Sequence, residues 1–222
     1  MREILREIYT EGVRKLKIKD FTLTAIFLSI ILLFAFTPFG YIHLGVIKAT
    51  LIHIPIIIAS IILGPKIGAF LGLVFGFTSI AVNTITPTLL SFAFSPVIPV
   101  LGSDQGSLWA LFIAIVPRVI IGVIPYYIYK AFRHAIEKKS SVQKPALLTT
   151  GILSTFIHTF LVMGSISFLF QDAYAEAIHA TSTSAIYKAV LTVFLTNGLA
   201  EALLAGIVTT AVAPPLLKIA KK

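Results

Sequence analysis

The sequence predicts an all-α integral membrane protein, with six transmembrane helices in a compact bundle and an N-terminal amphipathic helix lying on the membrane surface. Three observations predict it. Of 222 residues, 57% are apolar and 12% charged, with a mean hydropathy of +0.98; soluble domains average roughly 45–50% apolar and ~25% charged. A water-soluble fold of this size would lack the polar surface to cover itself. The apolar residues come in runs near the ~20 residues that an α-helix needs to cross a bilayer. The cations gather at the ends of those runs. The same composition excludes intrinsic disorder, and the absence of cysteine excludes a disulfide scaffold, a thiolate zinc site and a cysteine nucleophile.

Residues 1–20 place Ile4, Leu5, Ile8, Val13 and Leu16 at helical spacing between charged positions, the pattern of a helix lying on the inner membrane surface. The membrane domain is expected over 21–217. Its first span, 21–38, carries no charge and ends at Thr37, Pro38 and Gly40. The second, 49–63, is short, contains His53 and Pro55, and stops at Gly64, Pro65 and Lys66. From Ile67 to Ser103 there are 37 residues without a charge, too many for one helix, so the third span is drawn over 67–82. A Pro-rich segment, Asn83 to Gly106, follows it. The fourth span runs over 108–129, the fifth over 147–170, and the sixth over 185–212, ended by Pro214 and Pro215.

Six spans put both termini on one side, and the cations choose that side. With the N-terminus inside, 15 of 18 Lys and Arg residues are cytoplasmic; Lys48 and Lys188 fall near the outer face and Arg118 falls within a span. This is the positive-inside asymmetry of a multi-pass protein in the cell membrane. It also explains the formal net charge of +9 without nucleic acid, since no aromatic-interleaved basic surface is present. The first apolar run follows a charged segment and lacks a small-residue cleavage site, so no cleavable signal peptide is expected.

Gly64, Gly68, Gly72 and Gly76 recur every fourth residue, a stripe that lets helix backbones approach closely in lipid. It is expected to pack within the bundle. Ala25 and Ser29 make a second, shorter small-residue pair on the first span, suited to packing inside the chain or to docking of a partner helix.

In their order these features resemble the substrate-capture (S) component of energy-coupling-factor (ECF) transporters for vitamins. The resemblance is carried by Ala25 and Ser29, by the run from His53 through Gly64, Pro65 and Lys66 to Gly72, by Pro117-Arg118-Val-Ile-Ile-Gly122, and by Asn197-Gly-Leu-Ala-Glu201. It covers the chain from Phe21 to Lys218, and the Pro117-Arg118 and His53-to-Gly72 pieces look most like the pantothenate-type branch. The resemblance implies an outward-opening pocket lidded by the loops after spans 1, 3 and 5. It also implies docking on a transmembrane T component through the small-residue face of the first helix, and uptake driven by two cytoplasmic ABC-type ATPases. ATP and Mg would be used by those partners, and no cofactor is expected in this chain. Serine at position 29 departs from the usual pair. Cobalt and nickel relatives carry a histidine after the initiating methionine, where Arg2 stands here, so neither a metal site nor a metal substrate is expected.

Depth singles out the polar groups that carry chemistry. At 1.5 Å per residue, Arg118 lies ~15 Å below the outer end of its span, Asn197 ~18 Å below the outer end of the sixth, and His158 ~17 Å above the inner end of the fifth. All three fall near the midplane, where polar groups are costly and face a partner, a ligand or the bundle interior. Arg118 offers a planar cationic fork for a carboxylate; an anionic substrate and an internal pair with Glu201 are both open to it. Asn197 suits hydroxyl or amide groups of a ligand, or an interhelical hydrogen bond. His158 shares a polar stripe with Ser154 and Ser165. Asn83, Thr84 and Thr86 fit a lid or pocket rim, and His53 could line the pocket from the second span.

No catalytic constellation is present. There is no P-loop, no H-E-x-x-H, no G-x-S-x-G and no pair of intramembrane acids. The expected function is therefore binding of a small organic anion for uptake, with pantothenate the best fit. Folate or a pyrimidine- or pyridoxine-type precursor is the alternative within the class. A stand-alone transporter coupled to protons through Glu201 and His158 is the alternative outside it, although no repeat of halves is visible.

Overall fold

A computed structural model of the chain describes residues 18–44, 47–135 and 143–221. The surface helix expected over 1–20 lies largely outside them; residues 18–20 already belong to the first long helix. In chain order the elements are α1 (Ile18–Phe36), a hairpin of β1 (Tyr41–Leu44) and β2 (Ile47–Thr50), α2 (His53–Leu63), α3 (Pro65–Ile85), α4 (Trp109–Ala135), α5 (Gln143–Leu169), α6 (Gln171–Ala177), α7 (Thr183–Val193) and α8 (Leu199–Lys221). One turn of π-helix, Phe194–Gly198, joins α7 to α8, so that one continuous helix covers Thr183–Ala220. Among the described residues, five helices are long and apolar enough to cross a membrane: α1, α3, α4, α5 and the α7–α8 helix.

α2 differs from the span drawn over 49–63. It has 11 residues, about 16 Å of helix against a hydrocarbon thickness of roughly 30 Å. The residues before it turn out of helical geometry because Ile47–Thr50 pair antiparallel with Tyr41–Leu44. The uncharged end of the strand, Ala49 and Thr50, leads through Leu51 and Ile52 into an apolar helix, so strand end and helix read as one run in the sequence. The nine residues from His53 to Ile61 are all buried, since α2 touches α1, α3, α4, α5 and α8. A helix apolar around its whole circumference belongs in the middle of a bundle, and α2, too short to cross the bilayer alone, occupies that place here. It leaves through Gly64 alone, whose φ of 91° is open to glycine and strained for other residues. Pro65 then starts α3 at a position that needs no N–H.

The last helix differs too. Pro214 and Pro215 were expected to end it near 212, yet it continues through them to Lys221. Proline inside a membrane helix forfeits a backbone bond, and its surroundings can absorb that loss. At the far end Lys19 supplies donors from α1: its Nζ donates to the carbonyls of Ile219 and Ala220 at 2.9 and 3.0 Å. A cation on the last carbonyls of a helix also meets the negative end of its dipole.

The glycine stripe packs within the chain, as its spacing implies. A Cβ added to Gly68 would overlap the carbonyl oxygen of Gly122, one on Gly72 that of Arg118, and one on Gly76 would stand 2.9 Å from that of Ala114. α3 and α4 thus meet backbone to backbone, and the fit loosens toward the C-terminal end of α3.

Two apolar cores result among the described residues. One gathers Phe27, Ile31, Ile56, Ile57, Leu71 and Phe75 around α2. The other gathers Phe92, Ile113, Met163, Ile166, Phe170 and Tyr174, beneath the irregular segment 86–108 and α6. Large apolar side chains such as Phe21, Leu33, Phe77, Phe160, Leu195 and Ile207 are exposed on the outside of the long helices. That surface suits lipid and would aggregate in water.

Candidate functional site

Where the glycine stripe ends, α3 presents a different face. Phe75, Thr78, Ser79, Val82 and Asn83 follow one another at spacings of three and four residues, one side of a helix. All five line a cavity of about 190 Å³, together with Ala35 of α1, Thr50 of the hairpin, Ile52, Phe94 from the Pro-rich segment and Arg118 of α4. The cavity lies between the two cores: Ala35, Ile52 and Phe75 belong to one, and Phe94 packs against the other.

Arg118 supplies its cationic wall. The residue is buried, 7% exposed, and its guanidinium lies between two aromatic rings, 5.5 Å from the centroid of Phe75 and 4.8 Å from that of Phe94. Cations over ring faces are attracted by the ring quadrupole. Nη1 donates to the carbonyl of Ile113 at 2.6 Å and Nη2 to Ser79 Oγ at 3.5 Å. Because Gly72 has no side chain, the Arg118 backbone lies directly on α3. The residue is thus seated at its backbone and at its head.

Asn83 lines the cavity and also pins its rim. Its Nδ2 donates to the carbonyl of Ser79 at 2.8 Å, its Oδ1 accepts from Ser91 Oγ at 2.7 Å, and Ser91 Oγ accepts from the Thr88 N–H at 2.8 Å. Thr84 shares a hydrogen bond of 2.7 Å with Ser95. These bonds tie the segment after α3 back onto α3 and hold Phe94 over Arg118. Thr86 faces a second, more apolar cavity of about 360 Å³ between α1 and α3, and its hydroxyl donates to the Val82 carbonyl.

The two histidines meet each other. His53 and His158 stack with ring centroids 6.0 Å apart and 21° between planes, and Phe75 lies 6.3 Å from His158. Phe75 lines the cavity and neighbours His158, while neither histidine is among the lining residues. Among the described residues neither Nε2 has a hydrogen-bond partner. Glu201 reaches the hairpin: its Oε1 accepts from the Thr50 N–H at 2.6 Å, directly behind a lining residue. Asn197 sits in the π-helical turn, where its Oδ1 accepts from the Thr196 hydroxyl at 3.3 Å, and is not among the lining residues. Ala25 and Ser29 are exposed on α1, far from any of this in role, and Ser29 Oγ donates to the Ala25 carbonyl at 2.9 Å.

Of the residues the sequence singles out, the structure brings Arg118 and Asn83 to the cavity, and sets His53, His158 and Glu201 one residue behind its wall. Phe75, Thr78, Ser79, Thr50 and Phe94 were missed. The first three, with Val82 and Asn83, are legible as a helical stripe once it is separated from the glycines beside it. Thr50 and Phe94 come from non-helical segments and leave no periodic signal.

Residues 19–213 match the family model described as "ECF transporter, substrate-specific component". The chain is also 39% identical to the pantothenic acid transporter PanT of Lactococcus lactis subsp. cremoris (strain MG1363), over 92% of this chain and 97% of that one. The match spans every element that lines the cavity. With a family model covering most of its length and a full-length relative at this identity, the chain belongs to the family of substrate-specific components of ECF transporters.

Proposed function

We propose that the chain captures pantothenate outside the cell and delivers it as the S subunit of an ECF-type transporter. In this reading α2 together with the hairpin completes a sixth crossing, and both termini are cytoplasmic. α3 then runs outward, so the cavity at its C-terminal end lies in the outer half of the membrane. The distribution of cations supports that orientation. A transmembrane T component and two ABC-type ATPases supply the rest of the machine, and ATP and Mg act there.

The observation that carries the substrate is Arg118 in the wall of a small cavity, in a chain that aligns over 92% of its length with a pantothenic acid transporter. Pantothenate offers a carboxylate to the guanidinium, and hydroxyl and amide groups to Ser79, Thr78 and Asn83. Phe75 and Phe94 wall its carbon skeleton. A cavity of about 190 Å³ falls below the roughly 300–1,000 Å³ of most small-molecule pockets, which favours a compact anion over folate. His53 and His158 lie outside the cavity lining, and with Thr84, Thr86, Asn197 and Glu201 they shape its surroundings.

The test is direct. The detergent-purified chain should release pantothenate for detection by mass spectrometry and bind it in a calorimeter. Arg118→Met should weaken binding by at least about tenfold, the worth of a charge-assisted hydrogen bond. A folded protein that neither releases nor binds pantothenate would overturn the assignment.

A further inference from the structure

We infer that Pro117 is a positioning residue for substrate charge, acting through Arg118; the inference rests on the substrate reading above. Proline has no backbone N–H, so within α4 the carbonyl four residues earlier loses its usual helix donor. That carbonyl belongs to Ile113, and it is the one that receives Arg118 Nη1 at 2.6 Å. The gap left by one residue thus becomes the anchor for the side chain of the next. The arginine folds back along its own helix toward the N-terminal turns, the direction helical side chains take, and this carries the guanidinium to the cavity. Phe75 and Phe94 hold the plane of the group, and the Ile113 carbonyl fixes its position along the helix.

An alanine at 117 would restore the N–H and give Ile113 its ordinary partner, in competition with Nη1. The guanidinium would lose its anchor while the cavity and the charge remained. Added N–H capacity inside a helix does not threaten folding, so the variant is suited to a binding measurement.

The experiment compares dissociation constants for pantothenate and for pantothenol, in which a hydroxymethyl group replaces the carboxylate, in wild type, Pro117→Ala, Pro125→Ala and Arg118→Met. Pro125, the other proline of α4, controls for a straighter helix. Pro117→Ala should weaken pantothenate about tenfold and leave pantothenol within about twofold, since only the charge-assisted contact is disturbed. Pro125→Ala should leave the ratio of the two ligands near its wild-type value. Equal weakening of both ligands by Pro117→Ala, or no weakening of either, would overturn the positioning role. A ligand ratio unmoved by Arg118→Met as well would overturn the substrate reading itself.

Discussion

Burial decides what each polar side chain near the cavity must do. Glu201 spends its carboxylate on a backbone N–H, that of Thr50, so it holds a strand end in place behind the cavity wall. Removing the acceptor leaves that donor unsatisfied, at a cost of about 1–3 kcal/mol. Glu201→Ala should therefore lower the thermal midpoint of the purified chain. Glu201→Gln, which keeps a carbonyl oxygen, should recover most of the loss; equal midpoints for all three proteins would show that the bond carries no stability. Sequence reasoning reached Glu201 and Arg118 because a charge inside an apolar run demands a reason. It did not reach the Thr50 contact, since depth along a helix says nothing about which distant loop arrives beside it. The same limit hides Phe94: the Pro-rich segment has no period from which its facing side could be read. Thr78 and Ser79 were within reach, for their spacing from Phe75 to Asn83 is that of one helical face.

Between elements, the decisive contact is that of α3 with α4. The stripe from Gly68 to Gly76 makes this interface without side chains on one partner, so its tolerance is steric. Gly72→Val would set a branched side chain against the Arg118 carbonyl, and overpacking of this kind costs about 1–3 kcal/mol or more. Its effect should appear both as a lower thermal midpoint and as weaker pantothenate binding, because the backbone that moves is that of Arg118. Gly164→Val offers a contrast, since a Cβ there meets nothing within 4 Å; a loss as large as that of Gly72→Val would refute a steric origin. The glycine period announced this interface plainly. Helix ends were harder. Pro214 and Pro215 carry the usual signal for a stop, which holds where water competes for freed carbonyls and fails inside this helix. Ile47–Thr50 carry the residues of a strand and of a buried helix alike, so only pairing with Tyr41–Leu44 separates the two.

For the molecule as a whole, composition and the placement of cations sufficed to predict a helical membrane bundle, because lipid leaves few alternatives for an apolar chain. The way the bundle meets its partners follows from its outside. In the proposed complex the T component docks on α1, whose Ala25 and Ser29 are exposed. Ala25→Trp with Ser29→Trp should leave pantothenate affinity of the isolated chain within about twofold, as expected for sites that share no contacts. The same pair should abolish co-purification with the T component and the ATPases. Retained co-purification would move the docking face elsewhere.

The Lys19 contact with the carbonyls of Ile219 and Ala220 brings the two ends of the described chain within the reach of one side chain. One side chain thus staples the first described helix to the last. In the proposed six-crossing topology, joining the two termini through a linker and opening new ends between Ala135 and Gln143 keeps the in-and-out alternation of the crossings. Such a circular permutant should insert, fold and bind as the natural order does.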